Sequence, residues 1–102
     1  MCGAYGLSVK SLDDICDRFD IVNTLKNFKP RWNIRPGQLN PVIVNHEKKE
    51  TELMFWGLLP HFAEDEHYKY KAINAKAETV DKLPTFQQLF LHKRCFIPAT
   101  GF

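Results

Sequence analysis

A chain of 102 residues, 44% hydrophobic and 25% charged, has the apolar content for one core and too little length for two domains. Its net charge of +2 is too small to announce a polyanionic partner, and its three cysteines, Cys2, Cys16 and Cys95, are odd in number and widely spaced, which excludes a disulfide framework and a CxxC metal site. No apolar run reaches the length of a membrane span and the N-terminus lacks the charged-then-apolar order of a secretory signal, so the expected compartment is the cytoplasm, or the nucleus in a eukaryote.

The chain opens Met1-Cys2-Gly3, and removal of Met1 would leave a cysteine at the amino terminus. Such a terminus carries a thiol and an α-amine on adjacent carbons, with ordinary pKa values of about 8.5 and about 7.7 to 8.0. The pair can capture an aldehyde: the amine condenses to an imine and the thiol closes it into a five-membered thiazolidine. An internal cysteine cannot do this. Taken alone, Cys2 reads as a small buried hydrophobe beside a first strand.

Residues 3–8 read as a short strand with glycine breaks, leading to Ser11 as a helix cap. Leu12, Ile15, Cys16 and Phe19 recur at helical spacing, with Asp13 and Asp14 in the first turn and an end near Asp20. Residues 30–41 hold Pro30, Pro36, Gly37 and Pro41, which reads as irregular and makes Trp32-Asn33-Ile34-Arg35 an exposed loop. Pro41-Val42-Ile43-Val44 and Leu53-Met54-Phe55-Trp56 flank a polar turn from His46 to Thr51, the pattern of a hairpin. Trp56-Gly57-Leu58-Leu59-Pro60 turns out of the sheet, and residues 61–70 are polar and irregular. Pro84, Phe86, Leu89 and Phe90 suggest a helix running to about Lys93, and Arg94-Cys95-Phe96-Ile97-Pro98 a further strand. The stop at Gly101-Phe102, directly after an apolar strand, reads as the end of a fragment.

Charge is unevenly spread. Residues 1–66 hold eight Lys/Arg against ten Asp/Glu, whereas residues 67–102 hold six against two. Lys26, Lys29, Arg31 and Arg35 form a basic stretch uninterrupted by acid and beside Trp32. Cations for phosphates next to a flat ring for bases are what a single-stranded nucleic-acid groove requires, although a basic cluster is also an ordinary solvated surface.

Four segments in order resemble the N-terminal part of an SOS response-associated peptidase (SRAP) domain: Met1-Cys2-Gly3, Trp56-Gly57-Leu58-Leu59-Pro60, Ile73-Asn74-Ala75-Lys76-Ala77-Glu78-Thr79, and the run from Arg94 to Phe102. On this resemblance residues 1–102 are the N-terminal portion of one such domain, of α+β class, with a mixed, β-barrel-like sheet and short helices. It implies a basic cleft for single-stranded DNA and covalent capture of the ring-opened aldehyde of abasic sites by Cys2, after Met1 is lost by self-processing or by general methionine removal. It implies Asn74 as the group that positions the terminus and the opened sugar; a side-chain amide offers donors and acceptors without charge. Read without the family, Asn74 is a turn residue satisfying local backbone. Glu78 either orients the same segment or caps a helix, and Trp56 and Lys76 join Trp32 and Arg35 as candidates for the DNA cleft.

The departures are specific. Ala4 stands where the family frequently has arginine, Lys76 where arginine is common, which keeps the charge and loses the planar fork, and Phe62 where tryptophan is frequent. The family's Tyr-Glu-Trp segment and later histidine, which supply acid/base groups, have no counterpart in these 102 residues. His46, His61, His67, His92, Glu52, Glu64 and Glu66 match none of those motif positions. Three functions follow as alternatives: an abasic-site crosslinking protein or its split half completed by a second chain, a single-stranded DNA-binding module without the chemistry, and an inactive fragment. No metal or organic cofactor is expected, since no ligand spacing or phosphate loop occurs.

Overall fold

The computed structural model describes residues 3–67 and 72–102, an α+β arrangement of two antiparallel ribbons and two short helices. β1 (Tyr5–Leu7) buries Tyr5 and Leu7 on one face, with Gly6 between them. α1 (Asp13–Phe19) follows; Ser11 Oγ accepts the Asp13 N–H at 3.1 Å, and the helix closes at Asp20 in the left-handed conformation (φ 56°). Asp tolerates that backbone better than most residues. Leu12 and Cys16 pack with Tyr5, Leu7 and Ile34 as the core. Phe19, expected on the apolar face, is half exposed because the helix ends there, and the Arg18 guanidinium lies 5.3 Å over its ring.

The expected loop at residues 32–35 is instead mostly strand. β2 (Arg31–Ile34) pairs with β1 through Tyr5↔Ile34 and Leu7↔Arg31. Pro30 and Pro36 flank this strand without entering it, so neither interrupts the ladder. The register slips between the two pairs: Trp32 and Asn33 together stand opposite Gly6, a bulge. A side chain at Gly6 would bring its Cβ to 3.3 Å from the Trp32 carbonyl oxygen. The bulge also explains why both Trp32 and Asn33 face solvent, as the sequence reading expected for Trp32, while Ile34 is buried.

β3 (Leu39–Asn45) and β4 (Lys49–Phe55) form the expected hairpin, longer than its apolar runs suggested. Pro41 lies inside β3. Ile43 exchanges both backbone hydrogen bonds with Phe96 on the edge away from β4, and Pro41, two residues earlier, presents its missing N–H to that same edge. The β3–β4 ladder is therefore intact. The same geometry reduces the expected strand at residues 94–98 to one bridge. Continuing the Ile43↔Phe96 register by two residues pairs Pro41 with Pro98, and neither has an N–H to give. α2 (Gln87–His92) ends at Lys93, as its spacing predicts.

The final segment links the ribbons, touching β3 at Phe96 and β1 at Gly101, and no closed barrel forms among the described residues. A second tie is Arg31, whose guanidinium donates to the Leu39 carbonyl at 3.0 Å, to Asn40 Oδ1 at 2.8 Å and to Gln38 Oε1. Asn40 is buried, so removing the guanidinium leaves its oxygen without that donor. Arg31→Ala is expected to cost about 1 to 3 kcal/mol, read as a lowered urea midpoint; an unchanged midpoint would mean the two ribbons hold together without Arg31.

Candidate functional site

Two hollows flank β1. The larger, about 710 Å³, is an apolar cup floored by Asn40, Val42 and Met54 of the hairpin and walled by Trp56, by residues 72–75 and by the final segment at Cys95, Ile97 and Ala99. The smaller, about 390 Å³, lies over Gly6 between Trp32 and residues 100–102, with Ala4 and Ser8 on its margin. Tyr5 lines both.

Asn74 lines the cup, is exposed, and makes no hydrogen bond among the described residues. Its backbone is held by its neighbour: Trp56 Nε1 donates to the Ile73 carbonyl at 3.2 Å, and the Trp56 ring packs against Tyr5 with centroids 5.6 Å apart. Gly57, at φ 145°, lets the chain leave β4 directly after Trp56, a backbone that residues with a Cβ adopt only under strain. The structure thus brings Tyr5, Trp56 and Asn74 together around one cup. Trp56 is half-buried, and its indole N–H is already engaged. Trp32 is 74% exposed, on the margin of the smaller hollow.

The basic stretch divides. Arg31 is turned into the link between ribbons, and Lys26 pairs with Asp13 at 3.4 Å on the surface. Lys29 and Arg35 remain exposed; Arg35 Nε donates to Asn33 Oδ1 at 3.2 Å. Lys76 and Glu78 are exposed in the turns after Asn74, and the Lys76 carbonyl accepts from Thr79 and Val80. Phe62 is half exposed, edge-on to His61. Among the described residues no cluster of three or more His, Cys, Asp or Glu side chains could hold a metal ion, and no helix is long and apolar enough to cross a membrane.

Cys2 lies outside the described residues. The other two cysteines differ: burial in the core, with Asp13 and Asp17 adding to it, pushes the Cys16 thiol up, whereas Cys95 is exposed at the cup, its thiol raised by partial desolvation against the opposing pull of Arg94. Iodoacetamide at pH 7 is expected to leave Cys16 unmodified in the folded protein while denaturation exposes it, which peptide mass mapping checks; early labelling of Cys16 would show that the core opens readily.

Sequence reasoning missed Tyr5, Gln38, Asn40, Ser8 and Thr100. Tyr5 could have been found from the alternation Tyr5, Leu7 in a strand. The others act through pairings more than 90 residues apart or through a link between ribbons, for which local sequence holds no signal.

The family model described as SOS response associated peptidase (SRAP) matches residues 1–102. The chain is 39% identical to "Abasic site processing protein YoaM" and 38% identical to "Abasic site processing protein YobE", both of Bacillus subtilis strain 168, in each case over all of this chain. It spans about half the length of these curated relatives, 46% and 48%. Two crystal structures share the fold: a protein from Bacteroides thetaiotaomicron, with a TM-score of 0.82 and 21% identity over 99% of this chain and 47% of its own, and one from Bordetella bronchiseptica, with a TM-score of 0.70 and 23% identity over 96% and 48%.

Proposed function

The chain belongs to the SRAP family, and on that premise we propose that it captures abasic sites in single-stranded DNA through Cys2, once Met1 has been removed by self-processing or by methionine aminopeptidase activity. The α-amine attacks the aldehyde carbon of the opened sugar and water leaves to give an imine. The thiol then adds to the imine carbon, its proton passing to the nitrogen, and the thiazolidine closes. Aldehyde and aminothiol give thiazolidine and one water, with no oxidant or reductant. The observation that carries the reading is the family match across all 102 residues together with Cys2 at the second position.

The geometry supports the supporting roles. Asn74, with its amide unengaged among the described residues and the neighbouring Ile73 carbonyl held by Trp56, is suited to orient the terminus and the sugar hydroxyls, and Tyr5, three residues after Cys2 in sequence, lines the same cup. Trp32 offers a stacking face, and Arg35, Lys29 and Lys76 offer phosphate contacts. Trp56 acts through its hold on residue 73, and Glu78 through the turn that follows Asn74. The acid/base glutamate and histidine implied for the family come from the other half of the domain, in continuation or as a second chain, and that half completes the barrel-like sheet. Work on DNA places the protein in the cytoplasm of a bacterium or the nucleus of a eukaryote.

Intact mass after incubation with a single-stranded oligonucleotide containing one abasic site tests this. The expected product is the chain without Met1 plus the oligonucleotide minus one water, stable to heating; a chain without Met1 and without adduct would overturn the reading. A second reading, binding without chemistry, draws on the chain's spanning 46% of its relatives' length. It expects affinity for intact single strands that falls with salt, and no adduct.

A further inference from the structure

We propose that this chain pairs with a second copy of itself along the outer edge of residues 94–98, an inference independent of the capture reading above. Phe96 engages Ile43 with both its backbone N–H and its carbonyl, each at 2.9 Å. Successive residues of an antiparallel ladder turn these groups to opposite edges, so Cys95 and Ile97 turn theirs away from β3. Among the described residues neither backbone makes a hydrogen bond, and Cys95, Phe96 and Ile97 are all exposed. Pro98, which stops the pairing with β3, faces inward with Phe96 and takes no donor from the outer edge. An exposed apolar edge with free donors and acceptors is a template for another strand.

The segment is complementary to itself. A two-fold axis at Phe96 sets Cys95 opposite Ile97 of the second copy, and Ile97 opposite its Cys95, each pair exchanging two backbone hydrogen bonds. The two Phe96 side chains, 75% exposed in the single chain, then meet as the close, non-hydrogen-bonded pair. Arg94 falls opposite Pro98 of the second copy and not opposite its own counterpart, so the register sets no like charges face to face. The other edge of the sheet is covered at Lys49 and Thr51 by Val22, so the contact closes at two copies. Surface is available for it. The chain exposes 7766 Å² at 11.9 kDa, on the order of 1,800 Å² more than a compact monomer of that mass, whereas a stable dimer takes about 800 Å² from each partner.

Sedimentation equilibrium of the whole chain tests the pairing, and twice 11.9 kDa is the expected mass. Ile97→Pro removes one outward N–H from each copy and leaves the Phe96–Ile43 bonds in place; it is expected to weaken the dimer about ten- to a hundredfold, the loss of two neutral hydrogen bonds. Should that form not fold by circular dichroism, Phe96→Glu carries the same expectation, because it sets two carboxylates opposite each other. Crosslinking reads the register. In a Cys95→Ala background, Phe96→Cys should form a disulfide between copies under mild oxidation, since the Cα atoms of such a pair lie about 4.5 Å apart. Ile97→Cys in the same background should not, because its counterpart lies on the diagonal at about 7 to 8 Å. A chain that is monomeric at every concentration overturns the proposal, as does a dimer unmoved by either edge substitution or one that crosslinks at 97 and not at 96. A monomer that pairs only with the portion of YoaM that this chain does not match gives the edge to that partner and overturns self-pairing as well.

Discussion

Cys2→Ala is expected to abolish the heat-stable adduct with abasic single-stranded DNA while leaving affinity for intact strands unchanged. The variant keeps an α-amine, so it still condenses with the aldehyde, but without the thiol the product stops at a hydrolysable imine. Borohydride should therefore trap an adduct in the Ala form, and omission of borohydride should leave none. Cys2→Ser should behave like the Ala form, its ring-closed product being the more labile oxygen analogue. Neither Cys16 nor Cys95 can substitute, because the α-nitrogen of each is a peptide amide and cannot condense with the aldehyde. An adduct of undiminished heat stability in the Ala form would move the nucleophile elsewhere. For the unsubstituted protein the rate should rise with pH through the amine's range of about 7.7 to 8.0, since only the unprotonated amine attacks. A pH-independent rate between 6 and about 8.5 would place a step other than amine attack in control.

What the sequence made legible was whatever depends on neighbours in the chain. Leu12, Cys16 and the acidic first turn define α1 locally, and the polar residues between Val44 and Leu53 define the hairpin. The residues 32–35 were misread because prolines on both sides resemble those of a loop, whereas the strand is made by pairing with β1, some 25 residues away, and by a glycine that admits the bulge. The strand expected at 94–98 fails for an equally non-local reason: Pro98 is harmless to a strand end until it is set against Pro41. The candidate site shows the same division. Cys2 and Asn74 were marked by residue type and family motif, and Trp32 by its exposure beside basic residues. The diversion of Arg31 from phosphates to Asn40 and Gln38, and the fixing of Ile73 by Trp56, are products of packing and could not be read from spacing.

Supplying the portion of a relative that this chain does not match is expected to have the second largest effect, through both chemistry and surface. The accessible area is 7766 Å² for 11.9 kDa, against about 5,900 Å² for a compact monomer of that mass. The radius of gyration, 14.5 Å, exceeds the roughly 13 Å of a compact chain of this length. The excess on this chain, on the order of 1,800 Å², is about one partner's share of an obligate interface, which buries roughly 2,000–5,000 Å² over both partners. Part of it lies at the cup, where Ile97 is 59% and Met54 38% exposed, and part at alternate positions of the same segments, where Phe96 is 75%, Leu39 59% and Leu53 51% exposed. Co-expression with the portion of YoaM that this chain does not match supplies the test. A hydrophobic dye that fluoresces with the chain alone should be displaced, and the adduct rate should rise about 10²- to 10⁴-fold as acid/base groups join the site. Displacement without acceleration would assign the second half to stability alone. Acceleration without displacement would place its contact away from the cup. If neither changes, the apolar face is a property of this chain by itself, and Cys2 with Asn74 must account for whatever capture it performs.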